Sequence, residues 1–177
     1  MARLQPLPPD EFAAAVGIPI PEADQTSPQN LVNTLGRHAK LTRRWMPYGM
    51  QLMFGLLPAR DRELLILRTG LRCGSRYEWG QHVLIARQFG LTDEEITRVA
   101  SGPEAEGWGD GDRLLLRAAD ELHDTSTLSQ AVWDELAARY DDAQLIEIPL
   151  LVGHYHATAY VANALDVEPD AGLPDLP

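Results

Sequence analysis

Glu63, Ser75, Glu78 and His82 lie within the segment ELLILRTGLRCGSRYEWGQH, Glu63 to His82, and could together move protons. Glu78 and His82 stand four residues apart, so on a helix they share one face. Ile85, Ala86 and Phe89 continue that face, with Gln81, Arg87 and Gln88 on the other side. Glu63 heads a second apolar stripe with Ile66, Leu67 and Gly70, opposite Asp61, Arg68 and Arg72. Two carboxylates and one imidazole are thus expected on core-facing sides of neighbouring helices. Burying such groups unpaired is costly. Low dielectric and close carboxylates also move pKa values into a range useful for proton transfer. The chemistry this pattern suits is general acid–base catalysis with Glu63, Glu78 and His82. A plainer reading competes: Ser75-x-x-Glu78 is also a capping box, and Glu78 with His82 an ordinary i,i+4 structural pair.

The elements that must position these groups read as helices. From Pro28 onward the apolar spacing is helical almost throughout, with no alternating β-branched run long enough for a strand, so the class is all-α. Thr92 with Glu95 predicts a capping box, with Leu91 and Ile96 as its hydrophobic staple. Ser129 predicts another cap, stapled by Leu128 and Trp133, and Asp141 or Asp142 caps the last long helix. Pro149 and Gly153 are expected to bend that helix. Residues 1–27 are Pro-rich and read as an irregular strap, with one short helix near Asp10 to Val16. Residues 28–165 form the helical domain. The final DVEPDAGLPDLP makes residues 166–177 an acidic, Pro-rich tail expected to be disordered.

The spacing Glu63, eleven residues, Ser75, two residues, Glu78, three residues, His82 resembles the carboxymuconolactone decarboxylase superfamily, which includes the alkylhydroperoxidase D-like proteins. In the peroxidase branch, positions 75 and 78 are cysteines; here they are Ser75 and Glu78. A disulfide relay needs an attacking thiolate and a resolving thiol, which neither residue supplies. The decarboxylase branch carries a Glu four residues before the His, and Glu78 to His82 keeps that spacing. The resemblance covers roughly residues 30–165. It implies an alkylhydroperoxidase D-like helical bundle built around a central hairpin. It also implies a homo-oligomer with sites near subunit contacts, and a cofactor-independent lyase or isomerase acting on a small carboxylated compound or lactone. His82 would shuttle the proton, Glu63 would orient or charge-balance the imidazole, and Glu78 would tune the imidazole pKa or touch substrate.

Other residues carry weaker signals. Ser75 and Tyr77 are expected to border the substrate, Tyr77 because the peroxidase branch places a relay histidine there; an ordinary amphipathic aromatic is the alternative. Trp79 reads as core. From LLVGHYHATAY, Tyr155 or His156 is expected to reach the same pocket, the other reading being hydrogen-bonded core residues. His154 and His156 project about 200° apart on a helix, so they do not share a metal ion. With no HExxH, no CxxC pair, no calcium loop at Asp110 to Asp112 and no phosphate loop at GWGDG, neither metal nor cofactor is expected. Cys73 lies two residues before the first family cysteine position. It reads as a small buried apolar residue, the alternative being a residual thiol peroxidase using an external thiol or an intersubunit partner.

Composition sets the outer limits. A chain of 177 residues, 45% of them hydrophobic, fits one domain with its own core. The net charge of -11 disfavours nucleic acid and anionic membrane as partners. The single cysteine gives no internal disulfide, and the start MARLQPLPPDEF lacks an apolar signal core, so the expected location is the cytoplasm. Leu145 to Leu165, interrupted by Glu147, Pro149, His154, His156 and Asn163, reads as a buried helix rather than a membrane span. A non-catalytic oligomeric small-molecule-binding protein is the second functional reading.

Overall fold

The computed structural model describes residues 2–17 and 29–177. The expected strap positions Pro19 and Pro21 lie outside these residues. Nine α-helices account for the fold among the described residues, with no strand. They are α1 (Pro9–Val16), α2 (Gln29–Leu35), α3 (Ala39–Met53), α4 (Ala59–Arg72), α5 (Arg76–Gln88), α6 (Asp93–Ser101), α7 (Asp110–Thr125), α8 (Gln130–Ala137) and α9 (Asp142–Ala164). A 3-10 turn, Gly36–His38, joins α2 to α3. The all-α expectation holds, and α1 falls where one short helix was expected.

The bundle is organised around α4. Every residue from Arg62 to Gly70 is buried, and α5, α7 and α9 pack on different sides of it. This corrects the single-stripe expectation, in which Arg68 faced away from the core. Arg68 is buried because α7 offers Asp120, which accepts from its Nε at 2.7 Å and its Nη2 at 2.9 Å, while Val99 O accepts from Nη1 at 2.8 Å. A guanidinium saturated in this way can enter a core that an unpaired one cannot. Asp61, on the same side, accepts from the Tyr140 hydroxyl at 2.8 Å.

The α4–α5 hairpin forms because the chain turns through Cys73 and Gly74, the latter at φ +60°, and then meets Ser75 as N-cap of α5. Gly70 lets the two helices close. A Cβ there would lie 3.3 Å from the Glu78 Cβ, tighter than ordinary packing. The predicted starts of α6, α8 and α9 are present: Thr92 with Glu95 and Asp141 with Gln144 make reciprocal boxes, and Ser129 accepts from the Val132 amide. The expected Trp133 staple is not a buried one, since Trp133 is exposed.

Two further expectations change. The α9 helix is buried on one side only: Leu145, Ile148, Leu151, Val152 and Tyr155 face the core, whereas Ile146, Leu150 and Tyr160 are exposed. It runs as a single helix through Pro149 and Gly153. No helix among the described residues is long and apolar enough to cross a membrane. The tail after Ala164 is packed, not loose. Val167 is buried, Asp170 accepts from Tyr77 Oη and Gln81 Nε2 at 2.7 Å each, and Arg76 pairs with Asp175 at 2.6 Å. This contact explains why Gln81, expected to face solvent, is buried: the tail covers that side of α5. Gly80 permits the approach, since a Cβ there would come 2.8 Å from the Leu173 Cβ.

Candidate active site

The hairpin brings Glu63, Glu78 and His82 into one buried group. Glu63 sits near the start of α4, fully enclosed, and its Oε2 lies 2.7 Å from His82 Nδ1. A carboxylate acceptor at that distance fixes the tautomer by inference: Nδ1–H donates to Glu63, leaving the Nε2 lone pair free. Nε2 looks toward Glu78, whose Oε2 is 3.9 Å away, within i,i+4 reach and longer than a hydrogen bond. The third wall is α9, where the Tyr155 ring meets the His82 ring edge-on at 4.8 Å.

The counter-ion for this group was not apparent from spacing. Arg62, adjacent to Glu63, is itself buried and donates from Nε to Glu63 Oε1 at 2.9 Å. Its guanidinium also lies over the Phe89 ring at 4.8 Å. Phe89 was expected to continue the core face of α5. It is instead exposed, at the helix C-terminus, covering Arg62. Arg62 Nη2 is buried without a hydrogen-bond partner. A buried orphan donor in a native fold calls for an explanation, and its signal in the sequence would have been an Arg four residues before the core residue Ile66.

The electrostatics differ from group to group. Burial raises the Glu78 carboxyl to about 7, with the His82 charge acting in the opposite direction. Burial, then the charges of Glu78 and Glu63, hold the Tyr155 phenol well above its usual value, Arg62 opposing. Tyr155 therefore keeps its proton throughout the ordinary pH range and can serve as a hydrogen-bond donor. Burial, then the His82 charge, lowers His154 to about 4, so it is neutral. His154 stacks on Trp45 of α3 at 5.0 Å and meets Tyr48 edge-on at 5.3 Å. Tyr155 follows at 5.4 Å, which makes a file of rings from half-exposed Tyr48 inward to His82.

Glu78 gives a stability prediction. Its folded pKa, about 7, exceeds the unfolded value of 4.5, so between those pH values the native state holds a proton that the unfolded chain has released. The stabilisation is fully present below pH 4.5 and is lost as pH rises through 7. It amounts to about 3 kcal/mol, since a tenfold change in proton affinity is worth roughly 1.4 kcal/mol. Denaturant unfolding between pH 4 and 8.5 is expected to show this loss in the native protein. The loss should be absent in Glu78→Gln, which is expected to be the more stable protein at pH 8.5. Equal pH dependence in both would contradict burial of an ionising Glu78.

The other predicted site residues lie elsewhere. Ser75 caps α5, accepting from the Glu78 amide at 3.4 Å; its own amide bonds to Gly70 O at 2.9 Å, so the box is only half made. Tyr77 does not join the His82 group. It points to another side of α5, where it donates to Asp170 and accepts from the Leu31 amide at 3.3 Å. Tyr77 and Glu78 are consecutive, and on a helix that places the two side chains about 100° apart. His156 is likewise displaced from that group: its Nε2 lies 2.9 Å from His123 Nδ1 on α7. Tyr155 alone of the α9 pair reaches His82. Cys73 is half-buried, and burial raises its thiol, with Arg72 opposing, so the thiolate a peroxidase needs is disfavoured. Two surface clefts, of about 450 and 630 Å³, open away from His82, one beside Asp61 and Tyr140 and one beside Tyr77 and Asp175.

Residues 39–121 match the model of the carboxymuconolactone decarboxylase family. This span holds α3 to α6 and most of α7, and so includes Glu63, Glu78 and His82. Among solved structures, an uncharacterized peroxidase-related protein from Silicibacter sp. TM1040 is similar at 18% identity, covering 97% of this chain and 90% of its own, with a TM-score of 0.78. The alkylhydroperoxidase AhpD core protein from Ralstonia eutropha JMP134 is 19% identical, covering 93% and 87%, at 0.75. The debrominase Bmp8, in a complex with 2,3,4-tribromopyrrole, is 16% identical, covering 95% and 91%, at 0.73. At these identities the likeness is one of fold. No curated relative matches the sequence.

Proposed function

We propose, for a chain whose residues 39–121 match the carboxymuconolactone decarboxylase family, that it is a cofactor-independent lyase or isomerase moving a proton on a small carboxylated compound or lactone. The observation that carries this reading is the buried Glu63–His82 pair, 2.7 Å apart, with Glu78 raised to about 7 beside it. His82 Nε2 is the base, oriented by Glu63, whose charge Arg62 balances. Glu78, part acid and part carboxylate near neutral pH, is the matching donor or acceptor beside it. A β-keto or vinylogous acid carries its own electron sink. The protein then needs only to bind it, exclude water and deliver a proton.

The orphan Nη2 of Arg62 supports a carboxylate on the substrate, since a guanidinium recognises that group directly. The file of Tyr48, Trp45 and His154 supports entry between α3 and α9. Exposed Met50, Phe54, Leu56, Ile146 and Leu150 on and beside those helices support a homo-oligomer whose contacts border that entry. The experiment is a screen of carboxymuconolactone and related small lactones and enolisable acids, following CO2 release and isomerisation with the native protein and His82→Gln. Turnover lost in the variant supports the reading. Ligands that bind equally to both proteins without turnover favour the non-catalytic small-molecule-binding protein.

A further inference from the structure

We infer that Cys73, His123 and His156 form a binding site for a divalent transition-metal ion of the zinc type, separate from the His82 centre. The three residues come from the C-cap of α4, the last turn of α7 and the middle of α9. No sequence spacing links them. Their ligand atoms all lie within 4.8 Å of one another: His123 Nδ1 is 2.9 Å from His156 Nε2 and 4.0 Å from Cys73 Sγ. With zinc–nitrogen distances of roughly 2.0 Å and zinc–sulfur of roughly 2.3 Å, tetrahedral ligation needs about 3.3 Å between nitrogens and about 3.6 Å from nitrogen to sulfur. Both of these separations are within about 0.4 Å of their targets, a difference that side-chain rotation can absorb.

A second observation points the same way. His156 Nδ1 lies 2.8 Å from Val152 O, so Nδ1–H donates to that carbonyl and the Nε2 lone pair is aimed at the cluster. This is the outer-shell bond that metal-ligating histidines characteristically make. Arg72, next to Cys73, has its charge engaged by Asp124 and Asp120. On binding, the Cys73 thiol releases its proton to solvent and the His123 proton moves from Nδ1 to Nε2, so that S⁻ and two imidazole nitrogens face the ion. All three residues are half-buried, which leaves the fourth coordination position open to water or an added ligand. An ion here would tie α4, α7 and α9 together.

The test uses the full chain, stripped with chelator and titrated with Co2+ as a spectroscopic probe. A thiolate-to-cobalt charge-transfer band saturating at one ion per chain is expected, displaced by Zn2+. Cys73→Ser should abolish it with helicity unchanged. His123→Ala and His156→Ala should each weaken binding by at least the roughly 10–100-fold that loss of even an outer-shell partner costs. His82→Gln should bind Co2+ as the native protein does, which separates this site from the proposed catalytic one. Zn2+ should raise the melting temperature of the native chain and leave that of Cys73→Ser unchanged. No thiolate band, or a band that both histidine variants retain at native affinity, would overturn the site.

Discussion

His82→Gln is expected to lower turnover on the carboxylated substrate by roughly 10²- to 10⁴-fold, the range that loss of a positioned acid–base group produces. The imidazole is the one group that contacts Glu63 and also presents a free nitrogen toward Glu78 and Tyr155. Glutamine keeps a polar group beside Glu63, so the core has no reason to collapse, and it cannot take up a proton. Because the interaction lost is made mainly in the transition state, kcat is expected to fall much more than KM rises. A His82→Gln protein with native turnover would remove His82 from the mechanism and promote the binding-protein reading.

Glu63→Ala is expected to cost about 3–5 kcal/mol of stability, the typical penalty for breaking a buried ion pair by removing one partner. Both charges of the Arg62–Glu63 pair are shielded from water, with side-chain exposures of 5% and 0%, so the guanidinium left behind cannot recover its hydration. Replacing the pair together, as Arg62→Met with Glu63→Leu, should restore much of that stability, since well-packed apolar residues avoid the desolvation cost. Urea unfolding of the two variants separates the cases. If Glu63→Ala loses less than about 1 kcal/mol, the range of exposed pairs, the pair does not behave as a buried one. Loss of Glu63 also frees His82 to rotate, so turnover should fall in the apolar double variant although it is folded.

The sequence carried the helical class and the cap positions because both are local signals: a 3.6-residue period, and a side chain answering an amide three residues on. Convergence of Glu63, Glu78 and His82 was legible for the same reason, two apolar stripes each carrying ionisable groups on the wrong side for solvent. What was not legible depends on partners far along the chain. Arg68 reads as surface until Asp120 arrives from α7, and Gln81 reads as solvated until Asp170 of the tail covers it. Tyr77 and His156 sit beside Glu78 and Tyr155 in sequence, yet the helix turn carries each to another side, toward Asp170 and toward His123. The tail looked too polar to fold. It holds by specific bonds to Tyr77, Gln81 and Arg76, which composition does not register.

The proton-transfer claim is tested most directly in D2O, by NMR observation of solvent deuterium entering carbon positions of small lactones and enolisable acids. The native protein is expected to catalyse exchange on a compound that binds beside His82. Its rate should depend on a group titrating near pH 7, the value of the Glu78 carboxyl, and that limb should move in Glu78→Gln. Tight binding beside His82 with no exchange at any pH, or exchange undiminished in His82→Gln, would contradict the account.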